Sequence, residues 1–490
     1  MAALLALALA FPPAGALPPV GAAHAQALPD LGDISQVKLS PTQERKLGEA
    51  IVREARAQGG ILNDPEVNDY LNELGNRLVS VSPDAKQDFE FFAVGDGSIN
   101  AFALPGGFIG VNTGLILLAQ TESELASVLA HEITHVTQRH IARQLQGQQD
   151  GLLMSLAALA VAMLAARAGG ASSGDAAQAA IATSQALALQ SRLNYTREFE
   201  YEADRIGFQR LVAAGFDPHA TATFMEKLQR SSRFLEGSAP SYLRTHPITF
   251  ERIAEAQGRA EPLPYRQVTD SIDFYMVRAL LRSYEGEARD AVKFFETALA
   301  EKMYNSEVAV RYGLVASLLR AKDLKRAKAE LAKVERIAPP HPMIEAIGAH
   351  VLLESGEYDA AIRRIESALQ RYPNKMQLVY DYPDALIRAG RNAEAAAAAE
   401  RDLLRFSGDG TLHRHAARAY SALGSKTKHH YHQGEYYAWH GNLRAAIVQM
   451  ELAVKAGDAN FYEHSVVETR LRTLRREVAE QQKEAFARNG

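Results

Sequence analysis

The second half of the sequence repeats itself at a fixed interval. A pattern that opens with glycine begins at Gly356 and recurs at Gly390, and Gly424 continues the series at the same spacing of 34 residues. Pro339 and Pro373 keep that interval as well. A period of this length means that each unit buries its apolar face only by stacking on its neighbours. The second half of the chain is therefore constrained to a stacked repeat architecture.

An interval of 34 residues is that of tetratricopeptide repeats, in which each unit is an antiparallel pair of helices. Earlier copies of the pattern begin at Gly286 and Lys322, and a further copy begins at Gly441, only 17 residues after Gly424. We therefore expect the repeat register to slip by one helix between residues 425 and 440. Stacked helix pairs curve into a solenoid, and its concave wall can bind a peptide or a protein.

The first half of the chain contains the sequence His-Glu-Ile-Thr-His at residues 131–135. Residues four apart on an α-helix return to nearly the same face, so the imidazoles of His131 and His135 can converge on one metal ion. Glu132 lies on the same arc, and its carboxylate can take a proton from a water that the ion activates. This spacing predicts a metal-binding helix with a built-in base.

The helix that carries this sequence has its own start signal. Thr121 followed by Glu124 is a capping box, and an apolar stripe at helical spacing comes after it. We expect the helix to run from about Glu122 to about Arg143. On such a helix His140 falls well off the face that the two metal-binding histidines share, so we interpret it as a structural residue.

A third ligand is predicted at Glu200-Tyr-Glu-Ala-Asp204, on a second helical segment that ends near Gly215. Glu200 can complete a three-ligand zinc site with one open position, and Asp204 can accept a hydrogen bond from a ligand imidazole. The alternative is that these acids form a solvated face of the helix. The chain has no cysteine, which excludes a thiol nucleophile and fits hydrolysis by an activated water. We expect one Zn²⁺ per chain.

These motifs together resemble those of the M48 metallopeptidases. The resemblance also rests on His246-Pro247 with an arginine at Arg252, and on the sequence Asn-Ala-Phe-Ala-Leu-Pro-Gly-Gly at residues 100–107. It implies a mainly α fold: a zincin-like α+β metalloprotease domain with a small sheet, followed by an all-α tetratricopeptide-repeat solenoid. We place the protease domain at residues 26–265 and the repeats at residues 266–490.

The resemblance leaves two chemical roles open for His246. It could donate to the oxyanion of the reaction, or it could occupy the fourth position on zinc as a neutral imidazole and keep the enzyme silent. Glu132, His246 and Asp204 are the catalytic residues that we expect. Arg252 could bind a substrate carbonyl, orient the loop after His246, or form a salt bridge.

A β-prone run just before the metal-binding helix is predicted to form a strand. The resemblance implies that this strand borders the cleft and pairs with an extended substrate backbone. The residues expected to bind substrate in this way are Gly107, Phe108, Ile109, Gly110, Val111 and Asn112. A second strand is expected at Phe89–Val94.

Residues 1–25 are typical of a signal peptide, with an apolar run followed by the small-x-small cleavage signal Ala23-His24-Ala25. No Lys or Arg precedes the apolar run, which departs from the usual pattern. We expect a periplasmic chain, soluble or peripherally associated with the outer membrane. The apolar segment 152–166 is too short to cross a bilayer. It could be a flap over the active site that touches a membrane, or a buried core helix.

The resemblance implies a zinc endopeptidase with a chaperone-like role in quality control. Its clients would be unfolded outer-membrane β-barrel proteins, and its docking partner the barrel-assembly machinery. The net charge of −4 gives no reason to expect nucleic-acid binding. One alternative is a repeat-based scaffold or chaperone with a latent, self-capped protease site. Another is an integral membrane protease, which would need several apolar spans of about 20 residues.

Overall fold

The structure is a computed structural model of the 490-residue chain, and it describes residues 40–145, 196–233, 241–264 and 267–489. The expected signal peptide and the apolar segment 152–166 lie outside the described residues. Within the described residues, none of the helices combines the length and the apolar character needed to cross a bilayer. The predicted fold class is confirmed: helices dominate, one small sheet lies in the first half, and helical repeats follow.

Two helices lead into a three-stranded sheet. They are α1 (Pro41–Ala57), capped by Ser40, and α2 (Pro65–Ser80), capped by Asp64. The strands are β1 (Glu90–Val94), β2 (Ala101–Leu104) and β3 (Phe108–Asn112). The predictions for β1 and β3 are confirmed. The sequence does not predict β2, because the four residues Ala-Phe-Ala-Leu are too few to show a strand period.

Strand β3 lies in the middle of the sheet. It pairs in parallel with β1, with Ile109 opposite Phe91, and antiparallel with β2, with Ile109 opposite Ala103. A strand with neighbours on both sides has no free backbone groups to offer a substrate. The prediction that a substrate chain pairs with Gly107 to Asn112 is therefore wrong. The order of strands in a sheet is set by tertiary packing, and a short β-prone run does not reveal it.

The outer edge of β1 is covered by two asparagines of α2. The amide of Asn72 accepts a hydrogen bond from the N–H of Phe91 at 3.0 Å and donates one to its carbonyl at 2.6 Å. One turn earlier, Asn68 accepts a hydrogen bond from the N–H of Ala93 at 2.9 Å. These side chains satisfy the edge as a neighbouring strand would.

The outer edge of β2 is the other edge of the sheet. The N–H of Asn112 donates to the carbonyl of Asn100 at 2.9 Å, which makes these two residues a hydrogen-bonded pair at the start of the ladder. Hydrogen-bonded pairs alternate along an antiparallel ladder, so Ala101 and Ala103 turn their N–H and C=O groups away from β3. Helix α4 packs against this strand.

Three helices follow the sheet: α3 (Thr113–Leu118), α4 (Glu122–Thr137) and α5 (His140–Leu145). The start of α4 is as predicted, with Thr121 accepting a hydrogen bond from the N–H of Glu124 at 3.2 Å. The predicted end near Arg143 is wrong, because Arg139 adopts a left-handed conformation with φ of 52°. Its guanidinium lies 3.4 Å from the carboxylate of Glu44 on α1. The break separates α4 from α5.

Among the described residues, four further helices follow in the first half: α6 (Arg197–Ala213), α7 (Ala220–Arg233), α8 (Ser241–Thr245) and α9 (Phe250–Ala260). The repeats begin with α10 (Ile272–Tyr284), α11 (Ala288–Ala300), α12 (Glu307–Arg320), α13 (Leu324–Ile337), α14 (Pro342–Glu354) and α15 (Tyr358–Arg371). They continue with α16 (Met376–Arg388), α17 (Asn392–Leu403), α18 (Gly410–Ala422), α19 (Lys426–Trp439), α20 (Leu443–Lys455) and α21 (Phe461–Asn489).

The recurring pattern marks tight turns between antiparallel helices. Gly356 and Gly390 have φ of 76°, and Lys322 adopts the same left-handed conformation with φ of 59°. Glycine reaches this region without the Cβ clash that other residues suffer there. Gly424 precedes α19 and Gly441 precedes α20, so a single helix separates these two copies. This is the one-helix slip in register that the sequence indicates.

The two halves of the chain share a hydrophobic core. Leu71 of α2 and Leu125 of α4 belong to the same buried cluster as Phe274 of α10 and Tyr312 of α12. Helix α2 also contacts α16, further along the repeats. The boundary between residues 265 and 266 remains a prediction, since the core runs across it.

Acidic side chains of α2 and its cap contact the repeats. The carboxylate of Glu66 accepts a hydrogen bond from the Tyr312 hydroxyl at 2.6 Å, and Asp69 accepts one from the N–H of Met376 at 2.9 Å. Burial raises the pKa of Glu66 to about 8, and the nearby carboxylate of Asp64 acts in the same direction. Burial also raises the pKa of Asp69 to about 6.

The raised pKa of Glu66 predicts a stability that falls as the pH rises. Between its ordinary pKa and about 8, Glu66 holds a proton in the folded chain and loses it in the unfolded chain. Folding therefore becomes less favourable across this window, by a free energy on the order of a few kcal/mol. Urea denaturation between pH 5 and pH 8 should show a decline that Glu66→Gln reduces.

The matched control is Glu73→Gln on the same helix, where the carboxylate side chain is 58% exposed. His350 lies near Glu66 and has a pKa of about 9, because Asp381 outweighs the lowering by burial. It contributes a decline of the same sign, so Glu66→Gln should leave a part of the pH dependence. A pH dependence identical in the parent and in Glu66→Gln contradicts the prediction.

Candidate active site

The two histidines of the metal-binding sequence lie in the core, because α4 is buried along almost its whole length. Their Nε2 atoms are 3.0 Å apart and point to the same side. Glu200 on α6 faces them, with carboxylate oxygens 3.6 Å from Nε2 of His131 and 3.5 Å from Nε2 of His135. The structure thus brings together the three zinc ligands that the sequence suggests.

A glycine allows α6 to approach α4 at this point. A Cβ on Gly207 would lie 3.1 Å from the carbonyl oxygen of Ala130 and 3.2 Å from Cα of His131, which is closer than side chains usually pack. Thr196 fixes the start of α6 by accepting a hydrogen bond from the N–H of Phe199 at 3.3 Å. The close contact and the cap together fix the position of Glu200 along α6 relative to the two histidines.

Asp204 lies one turn after Glu200 and contacts the Nδ1 side of the His131 imidazole. Its Oδ1 is 3.0 Å from Nδ1 of His131, and it receives two hydrogen bonds from Arg252 at 2.6 and 2.8 Å. Burial raises the pKa of Asp204, but the hydrogen bonds from His131 and Arg252 outweigh it and bring the pKa to about 2. Asp204 is therefore a carboxylate in position to orient the imidazole of His131, a predicted zinc ligand.

Arg252 is buried and occupied by protein groups. Besides Asp204, its Nη1 lies 2.7 Å from Oε2 of Glu200 and donates to the carbonyl of Pro247 at 2.7 Å. Only 4% of the residue is exposed. The prediction that Arg252 binds substrate is wrong, because its donors face two carboxylates and the loop carbonyl. The two other roles considered for it, a salt bridge and an anchor for the loop after His246, match the contacts.

His246 completes the group at the centre of the site. Its Nδ1 lies 2.9 Å from Oε1 of Glu200 and 3.4 Å from Nε2 of His131. The ring of Tyr242 packs against it at 4.6 Å between centroids, and the N–H of His246 donates to the Tyr242 carbonyl at 2.8 Å. His131, His135, Glu200 and His246 each offer a ligand atom, all within 4.8 Å of one another.

Glu132 is buried beside this group. Among the residues that the structure describes, neither of its carboxylate oxygens has a hydrogen-bond partner, and Oε1 lies 3.6 Å from Nε2 of His246. Burial raises the pKa of Glu132, although His246 and His131 partly offset the rise. A buried carboxylate without hydrogen bonds is costly to maintain unless a bound species completes its surroundings.

The donors in the site fit a zinc ion. Two imidazole nitrogens and a carboxylate oxygen are the ligand set of catalytic zinc sites, and the His246 imidazole is an additional nitrogen donor of the same kind. The unpartnered carboxylate of Glu132 has the chemistry of the base that such sites require. The fit thus rests on the donor set and on a buried carboxylate that lacks a partner within the described residues.

His140 belongs to the site, contrary to the sequence interpretation. Its Nδ1 lies 2.8 Å from Nδ1 of His135, one of the predicted zinc ligands. On an unbroken helix a residue five positions later is rotated by about 140°, which places it off the ligand face. The left-handed Arg139 ends α4 and turns His140 back toward His135. No glycine or proline occurs between residues 136 and 140, so the sequence carries no signal for this break.

Comparison with known proteins agrees with this geometry. The sequence model of Peptidase family M48 matches residues 65–260, and a Tetratricopeptide repeat model matches residues 225–408. A Putative beta-barrel assembly-enhancing protease of Vibrio cholerae is 34% identical over 433 residues, covering 81% of this chain and 87% of the relative. The Beta-barrel assembly-enhancing protease of Escherichia coli is 32% identical over 449 residues, which cover 91% of this chain and 90% of the relative. The Mitochondrial metalloendopeptidase OMA1 of Arabidopsis thaliana is 34% identical over 37% of this chain and 34% of its own length.

The geometry and the matches define the class of protein: a metalloendopeptidase with zinc as its cofactor, joined to tetratricopeptide repeats. The chain belongs to peptidase family M48. Over most of its length it is similar to the beta-barrel assembly-enhancing proteases.

The buried position of Arg252 predicts a large loss of stability when it is removed. Arg252→Met leaves the carboxylates of Asp204 and Glu200 without their cation, and breaking such a buried pair costs about 3–5 kcal/mol. Urea denaturation of the zinc-free chain measures this cost. Arg259→Met on the same helix is the control, since its pair with Glu255 is partly exposed and should cost less than about 1 kcal/mol. Equal losses in the two variants contradict the assignment.

Proposed function

We propose that this chain is a periplasmic zinc endopeptidase that acts on unfolded outer-membrane β-barrel proteins and supports their assembly. The observation that carries the proposal is the buried group of His131, His135 and Glu200 beside the unpartnered Glu132. The names of the relatives from Vibrio cholerae and Escherichia coli support the choice of client. The signal-like residues 1–25 support the periplasm as the compartment.

In the proposed reaction His131, His135 and Glu200 hold the zinc ion. When bound, zinc polarises the peptide carbonyl and makes water a stronger nucleophile. Glu132 accepts a proton from the attacking water and delivers it to the nitrogen of the leaving amine. Asp204 keeps the His131 imidazole oriented, and Arg252 fixes both Asp204 and the loop that carries His246.

The substrate chain is proposed to align on β2 instead of β3. The outward N–H and C=O groups of Ala101 and Ala103 lie on the edge of the sheet that packs against α4, the helix of Glu132. Both alanines are buried, so an extended peptide can add to this edge as a further strand only after the groups that cover it move away; its main chain would then supply most of the hydrogen bonds. Alignment of this kind requires an unfolded or locally extended client.

His246 is proposed to cap the site in the resting enzyme. Of its two open roles, the fourth position on zinc has the stronger support, because the imidazole is buried among the ligand atoms and within 2.9 Å of Glu200. A cap of this kind keeps a protease silent until the loop after α8 moves. The alternative, a scaffold whose repeats carry the function while the protease site stays latent, is supported by the same buried histidine.

Hydrolysis of an unfolded protein by three forms of the mature chain, with bound zinc quantified in each, tests this proposal. Glu132→Gln should retain zinc and lose about 10²–10⁴-fold in kcat, since the proton acceptor is gone. His246→Ala should raise turnover by roughly tenfold if the capped form dominates at rest. A parent and a His246→Ala variant that both bind zinc and cut nothing favour the scaffold alternative. Loss of activity in His246→Ala assigns His246 to the oxyanion instead.

Alignment on β2 predicts a period of two along the substrate. A peptide substrate with a single backbone N-methyl group should lose about 2–10-fold in kcat/KM when the methyl replaces an N–H that faces β2. Methylation of the next residue should have little effect, because successive N–H groups of a strand point to opposite sides. A series of singly methylated peptides measures this. Equal losses at neighbouring positions contradict strand addition.

A further inference from the structure

His140 lies against His135 on the side that faces away from Glu200. Besides the 2.8 Å contact between the two Nδ1 atoms, Nε2 of His140 lies 3.3 Å from Oε2 of Glu202. The His140 ring stacks on Phe199, with 4.5 Å between centroids and 8° between planes. Arg143 donates to Glu202 at 3.0 Å and lies over the Phe199 ring at 4.6 Å. His140 is therefore held in one orientation from several directions.

One arrangement of hydrogens satisfies these contacts when His135 binds a metal through Nε2. The nitrogen lone pair at Nε2 is then used for the metal, so the ring hydrogen of a neutral His135 sits on Nδ1. Two Nδ1 atoms 2.8 Å apart share a single hydrogen, so His140 accepts it. His140 in turn carries its own hydrogen on Nε2, which points toward Glu202.

We propose that Glu202 and His140 form a relay that fixes the tautomer and orientation of His135 and so sets the zinc affinity of the site. His140 is a positioning residue, since it acts through His135. The inference rests on the proposed assignment of His135 as a zinc ligand. The site then supports its two imidazoles differently: a carboxylate contacts His131 directly, whereas a neutral imidazole separates His135 from its carboxylate.

The backbone supports a functional role for this contact. Arg139 is one of three residues other than glycine with positive φ in the described part of the chain, and the two others lie in the repeats. A left-handed arginine costs on the order of 1 kcal/mol and persists only where the surroundings impose it. Here the strained residue brings His140 to His135, and its side chain is held by Glu44.

Zinc affinity, measured by competition with a chelator, tests the relay in the full mature chain. His140→Phe keeps a ring that can stack on Phe199 but has no acceptor for His135, so zinc binding should weaken by about 10–100-fold. His140→Asn places an amide oxygen near the position of Nδ1 and should restore most of the affinity. His464→Phe is the control, since that side chain is 43% exposed and lies in the last helix.

The outcomes separate the relay from the ligand assignment. The relay is overturned if His140→Phe binds zinc like the parent, or if His140→Asn binds as weakly as His140→Phe. His135→Ala tests the assignment itself, because a variant that binds zinc as tightly as the parent excludes His135 as a ligand. Loss of zinc in His135→Ala together with parental affinity in His140→Phe removes the relay alone.

A direct measurement covers the case in which His140→Phe does not fold. Nitrogen NMR of the parent chain with labelled histidines, loaded with zinc, reports which ring nitrogen of each imidazole carries hydrogen. We expect hydrogen on Nδ1 of His135 and on Nε2 of His140. Hydrogen on Nδ1 of His140 overturns the relay.

Discussion

The buried ion pair of Arg252 with Asp204 and Glu200 is the interaction on which the active site depends. It joins α9 to two positions of α6, and the same guanidinium binds the carbonyl of Pro247 in the loop after His246. Two buried carboxylates thus share one guanidinium, and the unpartnered carboxylate of Glu132 lies beside the same group of imidazoles. The ligand atoms gathered here fit a divalent cation, which would complete the electrostatics of the site.

Helix α2 connects this site to the repeats. Asn68 and Asn72 of this helix form hydrogen bonds with the edge of β1. Glu66 and Asp69 of the same helix contact α12 and α16 of the repeats. The apolar residues of α2 belong to the core that both halves share, so the repeats pack directly against the first half. Under the proposed function, a client that the repeats bind would therefore be held at a fixed place relative to the sheet.

Helical spacing was enough to put His131 with His135, and Glu200 with Asp204, on shared faces, whereas His246 and Arg252 were selected by the resemblance to the M48 metallopeptidases. It failed where the answer depends on tertiary packing. The pairing of β3 with two strands could not be read from five residues, and the burial of Arg252 depends on two carboxylates from another helix. The turn at Arg139 returns His140 to the site, and no glycine or proline in the sequence indicates this turn.

His246, the proposed cap, and the proposed substrate edge are joined by a short path. The N–H of Tyr242, at the start of α8, donates to the carbonyl of Ile99 at 3.2 Å, two residues before β2 begins. The carbonyl of Tyr242 in turn accepts the N–H of His246. A movement of α8 that withdraws His246 from the ligand group would therefore also change the contact at the entrance to β2. Under the proposed function, release of the cap and access of an extended chain to the edge are one movement of α8, which couples proteolysis to the arrival of a client.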